Sequence, residues 1–325
     1  MRTIAPAIAL GNALVHKADI QTGITGGSII AKAFEEAGLP KGVFNSILTD
    51  VEEVGDEFLT NPHSDFISFT GSTPVGRYIA GIAGQQLKRV ALELGGNSPF
   101  VVLSDADVDQ AVDAAVFGKF VHNGQICMSI NRIIVQKDCY DEFVSKFVDR
   151  VKALQVGDPK DPETVIGPVI NEKQADKINN LITQAKQEGL KVALEGERRG
   201  NVIPPHIFVD VPNDSTLAQT ELFGPVAQIV PAETDEEAIQ LASETEYGLS
   251  SAIFTRDVKK GEQFAQKIEA GMTHINDQTV NDQANVMFGG TKASGIGRFG
   301  NPWIVEELTI SKWVSVQSEY RTFPF

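Results

Sequence analysis

Apolar residues recur with two periods along the first eighty positions. Ile4 to Leu10 has helical spacing that stops near Gly11 and Asn12, and Ala13 to His16 is a short apolar run followed by Lys17. The alternation then repeats. Gly26 and Gly27 open a helix with Ile29, Ile30, Ala33 and Phe34 on its apolar side, stopped at Gly38 to Pro40, and Val43 to Leu48 supplies the next strand. A further helix is expected through Val54 and Phe58, ending before Pro62. Phe66 to Phe69 reads as a third strand, and Gly71 to Gly76 leads into a helix through Tyr78 and Ile79. Strands alternating with helices predict an α/β fold with a parallel sheet of the doubly wound type.

The second half has the same grammar. Asn97 to Leu103 is an apolar strand, Ser104 to Asp107 has the form of a capping box, and the helix after it sets Val108, Val112, Ala115 and Val116 on one face. Arg132 to Gln136 is a strand, and Tyr140 to Leu154 is a helix with Phe143, Phe147, Val151 and Leu154 at core spacing. Gly157 to Pro162 is an exposed, turn-rich link. Helices are expected over 175–188, 236–243 and 259–269, and strands over 191–194, 207–211, 227–231, 251–255 and 273–276. A glycine-rich loop from Phe288 to Gly300, a helix near Pro302 to Leu308 and a strand-like run from Lys312 to Gln317 complete the chain.

With 325 residues, 42% of them hydrophobic and 22% charged, the sequence suits a globular protein of two domains. A net charge of −15 without a basic patch argues against nucleic-acid or anionic-membrane partners. No segment has the length of a membrane span, and Pro6 and Gly11 interrupt the short apolar run at the start, so a cytoplasmic protein is expected. Two cysteines in so long a chain suggest free thiols in a reducing compartment. No metal site is expected.

Candidate chemistry concentrates between Leu92 and Arg132. Glu93 stands beside Gly95 and Gly96, and one strand and one amphipathic helix later comes Cys127, after Gly124, Gln125 and Ile126. A carboxylate can move protons and a thiolate can attack carbon, so a fold that returns the two to one cleft would pair a base with a nucleophile. A thiol titrates near ~8.5 when free, so a helix terminus, a bound cofactor or Glu93 itself is expected to favour the thiolate. Cys139 is expected to be a small buried hydrophobe. His122 is expected to be solvated or capping, since no companion motif supports a Cys-His protease. Upstream, Ser72 and Pro74 suit a helix start whose free N–H groups would attract phosphate, although a capped surface helix is the commoner use of such residues.

Gly295 to Gly300 fits the G-x-G-x-x-G pattern, but a polar loop precedes it and the chain nearly ends after it. The dinucleotide fingerprint needs a buried strand before it and a βαβ unit after it. A flexible rim over a cleft is the better expectation.

Six separated stretches, at 69–76, 92–102, 124–132, 221–226, 246–255 and 288–298, together resemble the aldehyde dehydrogenase superfamily in content and order, and most of all its bacterial benzaldehyde and vanillin dehydrogenases. That resemblance implies a partial doubly wound NAD(P)-binding domain over 1–95, a catalytic domain over 96–300 and a tail over 301–325 with a strand of the kind used between subunits. It implies roles as well. Cys127 corresponds to the nucleophile that becomes a thioester, and Glu93 to the base that activates water for its hydrolysis. Lys17 corresponds to the adenosine-ribose contact, Gly71 and Ser72 to the pyrophosphate turn, and Glu221 and Phe223 to residues that position the nicotinamide ribose and ring. The implied reaction is oxidation of an aldehyde, of the aromatic class, to its acid with NAD, NADP being the alternative. Homo-oligomers are the rule in the family.

Two departures bear on this. Ile20 stands where NAD-preferring relatives often carry a glutamate, with Asp19 beside it, which leaves NADP use open. The sequence also starts inside the family's cofactor domain, without the asparagine that completes the oxyanion hole, and losing one such donor costs about 10²–10³ in rate. Weak activity, or a remnant that only associates with partners, is therefore one expectation. A CoA-acylating enzyme is another, which the base Glu93 disfavours.

Overall fold

The computed structural model describes all 325 residues. Its contacts divide the chain into two units, one of Met1–Ile67, Ala284–Met287 and Arg298–Phe325, the other of Ser68–Gln283 and Phe288–Gly297. The sequence reading set its first boundary at residue 95; the division at Ile67 places Glu93 in the same unit as Cys127.

In the first unit a helix, Ile4–Ala9, stops before Gly11, whose φ of +86° suits glycine. β1 (Leu14–Lys17) lies parallel to β2 (Phe44–Ile47), with Leu14 opposite Phe44 and Lys17 opposite Ile47. Between them a π-helical turn, Ile24–Ser28, runs into the helix Ile29–Glu36, and Phe34 meets Phe44 with ring centroids 5.3 Å apart. The helix expected through Val54 and Phe58 is instead two single turns, Val51–Val54 and Glu57–Thr60. Gly55 breaks it with a φ of +53°. The helix Trp303–Leu308 returns to the start of the chain, where Asn12 donates to the Leu308 carbonyl at 3.2 Å. The run Lys312 to Gln317 forms no strand. A strand needs a partner's N–H and C=O groups, and this run lies open, with Trp313 92% exposed.

The second unit holds two main sheets and a two-stranded pair. The smaller joins β3 (Phe66–Thr70), within which the division falls, β4 (Arg89–Glu93) and, at the far edge, residues Gly295–Ile296. The larger contains β5 (Pro99–Val102), β6 (Arg132–Gln136), β7 (Lys191–Leu194), β8 (His206–Val209) and β9 (Val226–Ala232). After the two-residue β10 (Tyr247–Gly248) it gains β11 (Ser250–Phe254) and β12 (Met272–Ile275). β13 (Thr291–Lys292) pairs with β10, and β14 (Gly295–Ile296) with β4.

The order of the larger sheet is β12-β11-β5-β6-β9-β8-β7, parallel throughout except for the β7–β8 pair. From β5 the chain adds β6, crosses to the far edge at β7, returns inward through β8 to β9, and then extends the other side of β5 with β11 and β12, so strands are laid down on both sides of β5 as in a doubly wound sheet. Both faces are covered, so its central strands are apolar at nearly every position. Phe100 and Val102 join the core formed with Val112, Phe143 and Phe147, whereas Val101 and Leu103 join Ile178, Ile182 and Ala238 on the opposite face. Successive side chains of a strand point to opposite faces, and here each finds a layer of helix. No helix is long and apolar enough to cross a membrane.

Candidate active site

Ligands of open parallel sheets usually lie beyond the carboxyl ends of the strands. Here that end is filled. Asp105 accepts hydrogen bonds from Thr255 Oγ1 at 2.8 Å and from the N–H groups of Arg256 and Asp257, and Asp235 takes the Ser104 hydroxyl and the Lys260 ammonium. Ser104 is thus tied to Asp235, and the cap of the following helix, Val108–Phe120, is Asp107, which accepts from the Gln110 N–H. The candidate residues gather at the amino ends of the strands, where the chain enters β5, β6 and β9.

Cys127 lies on the loop between the Val108–Phe120 helix and β6. The chain passes through three consecutive left-handed residues, His122, Asn123 and Gly124, with φ of +52°, +58° and +70°. Glycine is required at the third, because an added Cβ would lie 2.5 Å from the Gly224 carbonyl oxygen. Asn123 is held by its amide, which donates to the Gly167 and Pro168 carbonyls at 3.0 Å and accepts from the Gly167 N–H at 3.1 Å. The loop closes where Ile130 N–H donates to the Gly118 carbonyl at 3.1 Å and the Ser129 hydroxyl donates to the Gly118 and Lys119 carbonyls. Thr279 fixes its crest by donating to the Met128 carbonyl. His122 is exposed, and Cys127 is partly exposed. No helix begins at Cys127, so the helix terminus considered as an aid to the thiolate is not supplied by this segment. Cys139 is buried and hydrogen-bonds main-chain carbonyls of Leu103 and Gln136, and burial pushes its thiol up to about 11.

Glu93 ends β4 with its side chain 3% exposed. Its carbonyl accepts from the Gly71 N–H at 3.0 Å, and on the other side it stands opposite Gly295 of β14, with Leu94 N–H donating to the Ser294 carbonyl at 3.0 Å. Part of the glycine-rich loop is therefore fixed rather than a free rim. Thr291–Lys292 and Gly295–Ile296 are strand-paired, and the second pair holds Glu93 from one side, while the Gly71 turn holds it from the other.

From Glu93 the chain crosses to β5 through two glycines. Gly95 N–H donates to Thr73 Oγ1 at 3.3 Å, and Gly96 N–H donates to Glu221 Oε1 at 3.0 Å. A Cβ on Gly95 would lie 2.6 Å from Glu221 Oε2 and 3.1 Å from the Tyr247 ring; one on Gly96 would lie 2.2 Å from the Cys127 carbonyl oxygen. The two glycines thus bring the Glu93 segment, the Cys127 loop and the Glu221 carboxylate against one another. Burial raises the carboxyl of Glu221 above its usual range, opposed by the Gly96 hydrogen bond, and burial pushes the Tyr247 phenol up to about 12. Phe223 adopts a φ of +47° and its carbonyl accepts from Gln174 Nε2 at 3.0 Å.

Ser72 occupies the N-cap of the helix Thr73–Gln85 in an extended conformation, yet its hydroxyl makes no capping bond, contrary to the capping role the sequence suggests. The helix is anchored instead through Thr73, which donates to the Ala293 carbonyl at 3.1 Å. Gly71 packs where a Cβ would strike the Phe69 ring at 2.4 Å. Lys17, in the other unit, ends β1 at the carboxyl edge of the β1–β2 pair, and its ammonium donates to the Ala18 carbonyl at 3.4 Å.

The sequence profile of the aldehyde dehydrogenase family matches residues 1–314. The chain belongs to this family. AldY of Bacillus subtilis is 65% identical over all of the chain, and the benzaldehyde dehydrogenase YfmT of the same organism 47% identical over all of it. Each match covers 67% of the relative. Among solved structures, a salicylaldehyde dehydrogenase from Pseudomonas putida G7, complexed with salicylaldehyde, superposes with a TM-score of 0.96 at 39% identity, over 100% of this chain and 68% of that one. The chain spans about two thirds of the length of these aldehyde dehydrogenases.

Sequence reasoning passed over Thr73, Asn97, Asn131, Tyr247 and Ser294 as parts of this site. A signal was present for the two asparagines, each of which interrupts an apolar strand entry and is nearly fully buried. A buried amide must spend its hydrogen bonds on something.

Proposed function

We propose that the chain oxidises an aldehyde to its carboxylic acid with NAD⁺ and water, NADP⁺ being the alternative cofactor, and that the aldehyde is aromatic. The observation that carries this reading is the meeting of the Glu93 segment, the Cys127 loop and Glu221 at Gly95 and Gly96. Aromatic specificity is supported by the benzaldehyde and salicylaldehyde relatives.

The donor set suits a dinucleotide. In the second unit Glu221 offers a partly exposed carboxylate for ribose hydroxyls, and the Thr73–Gln85 helix offers a start whose Ser72 hydroxyl is not spent on capping; in the first unit, taken by itself, Lys17 stands at the carboxyl edge of a parallel pair. When bound, the nicotinamide supplies the hydride acceptor. The protein's residues do the rest. The Cys127 sulfur bonds to the aldehyde carbon as a thiohemiacetal, its oxyanion facing the Cys127 N–H, and loss of hydride leaves a thioester. Glu93 then takes a proton from water as the water oxygen attacks the thioester carbon, the carbon–sulfur bond breaks, and the acid and a thiolate result.

The test is incubation of the purified chain with benzaldehyde and NAD⁺, following NADH and benzoate in equal amounts. Cys127→Ala should abolish both. Benzoate formation that survives this substitution would end the reading.

A further inference from the structure

We propose that Asn131 is a positioning residue for the dinucleotide, which, clasped to Asn97, fixes where the Glu221 carboxylate stands relative to Cys127. The inference rests on reading Glu221 as the ribose contact.

Glu221 sits between β8 and β9 on a segment outside any helix or strand, so no ladder of main-chain bonds holds it. Asn131 takes that place. Its Nδ2 donates to the Thr220 carbonyl at 2.9 Å and its Oδ1 accepts from the Leu222 N–H at 3.3 Å, gripping the backbone immediately before and after Glu221. Its second Nδ2 hydrogen goes to Asn97 Oδ1. Asn97 in turn donates to the Ala218 carbonyl at 2.8 Å and to Thr245 Oγ1 at 3.1 Å. Both amides are nearly fully buried, with exposures of 4% and 1%. Every amide hydrogen of the pair has an acceptor, so neither side chain can flip without opposing like groups.

The placement of the pair gives the clasp its purpose. Asn131 is four residues after Cys127 at the entry to β6, and its own N–H donates to the Ser98 carbonyl at 3.0 Å. Asn97 follows Gly96, whose N–H holds the Glu221 carboxylate. Three chain segments, each carrying one candidate residue, are therefore pinned by two amides. Removing Asn131 frees the two peptide units that flank Glu221, leaving the carboxylate on the Gly96 N–H and the segment anchored farther out, at Ala218 and Phe223.

The test is a double-mutant cycle on the full chain, with Glu221→Gln, Asn131→Ala and their combination, reading the dissociation constant of NAD⁺ by calorimetry. The rate at which iodoacetamide labels Cys127 without cofactor is read alongside. Asn131→Ala should weaken NAD⁺ on the order of 10-fold, and add less than about 2-fold in the Glu221→Gln background, because it acts through that carboxylate. Labelling without cofactor should change by less than about 2-fold, as a general loss of structure would not allow. Unchanged NAD⁺ affinity in Asn131→Ala, or a loss that simply adds to that of Glu221→Gln, would overturn the proposal. Should Asn131→Ala fail to fold, Asn97→Ala takes its place in the cycle, with a loss of about 3-fold expected and the same non-additivity required. If Glu221→Gln itself binds NAD⁺ as tightly as the unsubstituted chain, the ribose-contact reading fails first, and the positioning role with it.

Discussion

Gly96 and Cys127 meet backbone to backbone, so closely that a Cβ on the glycine would lie 2.2 Å from the cysteine carbonyl oxygen. Main chain cannot yield as a flexible side chain can. Gly96→Ala should push the thiol loop away from the Glu93 segment, and a displacement of about 1 Å at a reacting centre can cost about 10²-fold in rate. NADH formation should fall by that order, while circular dichroism shows the fold retained. An alanine variant of ordinary activity would mean that this contact does not set the position of the sulfur.

Glu93 and Gly295 make a second such pair. A Cβ on Gly295 would lie 2.1 Å from the Leu92 carbonyl oxygen, so Gly295→Ala should unzip β14 from β4 and loosen the strand that carries the base. Glu93→Gln should form the thioester once and hydrolyse it slowly, giving a burst of about one NADH per chain followed by a slow phase. Gly295→Ala is expected to reproduce that burst in weaker form. Rapid-mixing absorbance reads both, and a slow rate without any burst in either variant would place the defect before hydrolysis.

Where side-chain pattern alone decides the structure, the sequence was sufficient. β5 and the middle of β6 are apolar on both faces because helices cover both, and the flanking turns and short length distinguish them from a helix. β4, which lies between β3 and β14, escaped notice because its five residues do not alternate and β14 lies some two hundred residues later, where a two-residue strand has no period to read. The same separation made the glycine-rich loop look like a mobile rim. Cys127 and Glu93 could be singled out by residue type and neighbouring glycines. Asn131 could not, since its task depends on which carbonyl groups the fold brings to it.

Arg132 illustrates a polar residue that holds the frame rather than the chemistry. Fully buried, it donates to the Leu241 carbonyl at 2.7 Å, the Ala242 carbonyl at 2.8 Å and Asn213 Oδ1 at 2.9 Å. Burial lowers its guanidinium to about 10, partly offset by Glu244. Arg132→Met should orphan the buried Ala242 carbonyl, while the Leu241 carbonyl keeps the Glu244 N–H and Asn213 Nδ2, and should cost about 2 kcal/mol; Arg132→Lys should recover only part of this, because one ammonium cannot replace a planar fork. Urea denaturation measures both; equal stability of the lysine variant and the unsubstituted chain would contradict the geometry.

Lys119 makes the opposite case, a buried charge whose removal should help. It lies in the last turn of the Val108–Phe120 helix with 1% of its surface exposed, and burial lowers its ammonium from 10.5 to about 7. Between those values the unfolded chain keeps a proton that the folded chain has released, so this residue makes stability rise with pH from about 7 to about 10.5. Below the lower value both states are protonated and the full cost of burying the charge remains. Lys119→Met keeps the length and removes the charge, so it should be more stable than the unsubstituted chain by on the order of a few kcal/mol near pH 6. The advantage should shrink as the pH approaches about 10, where the lysine is neutral in the fold at little cost. Urea midpoints at about pH 6 and about pH 9 read the difference. A methionine variant destabilised equally at both would show that the ammonium serves a contact worth more than its burial costs.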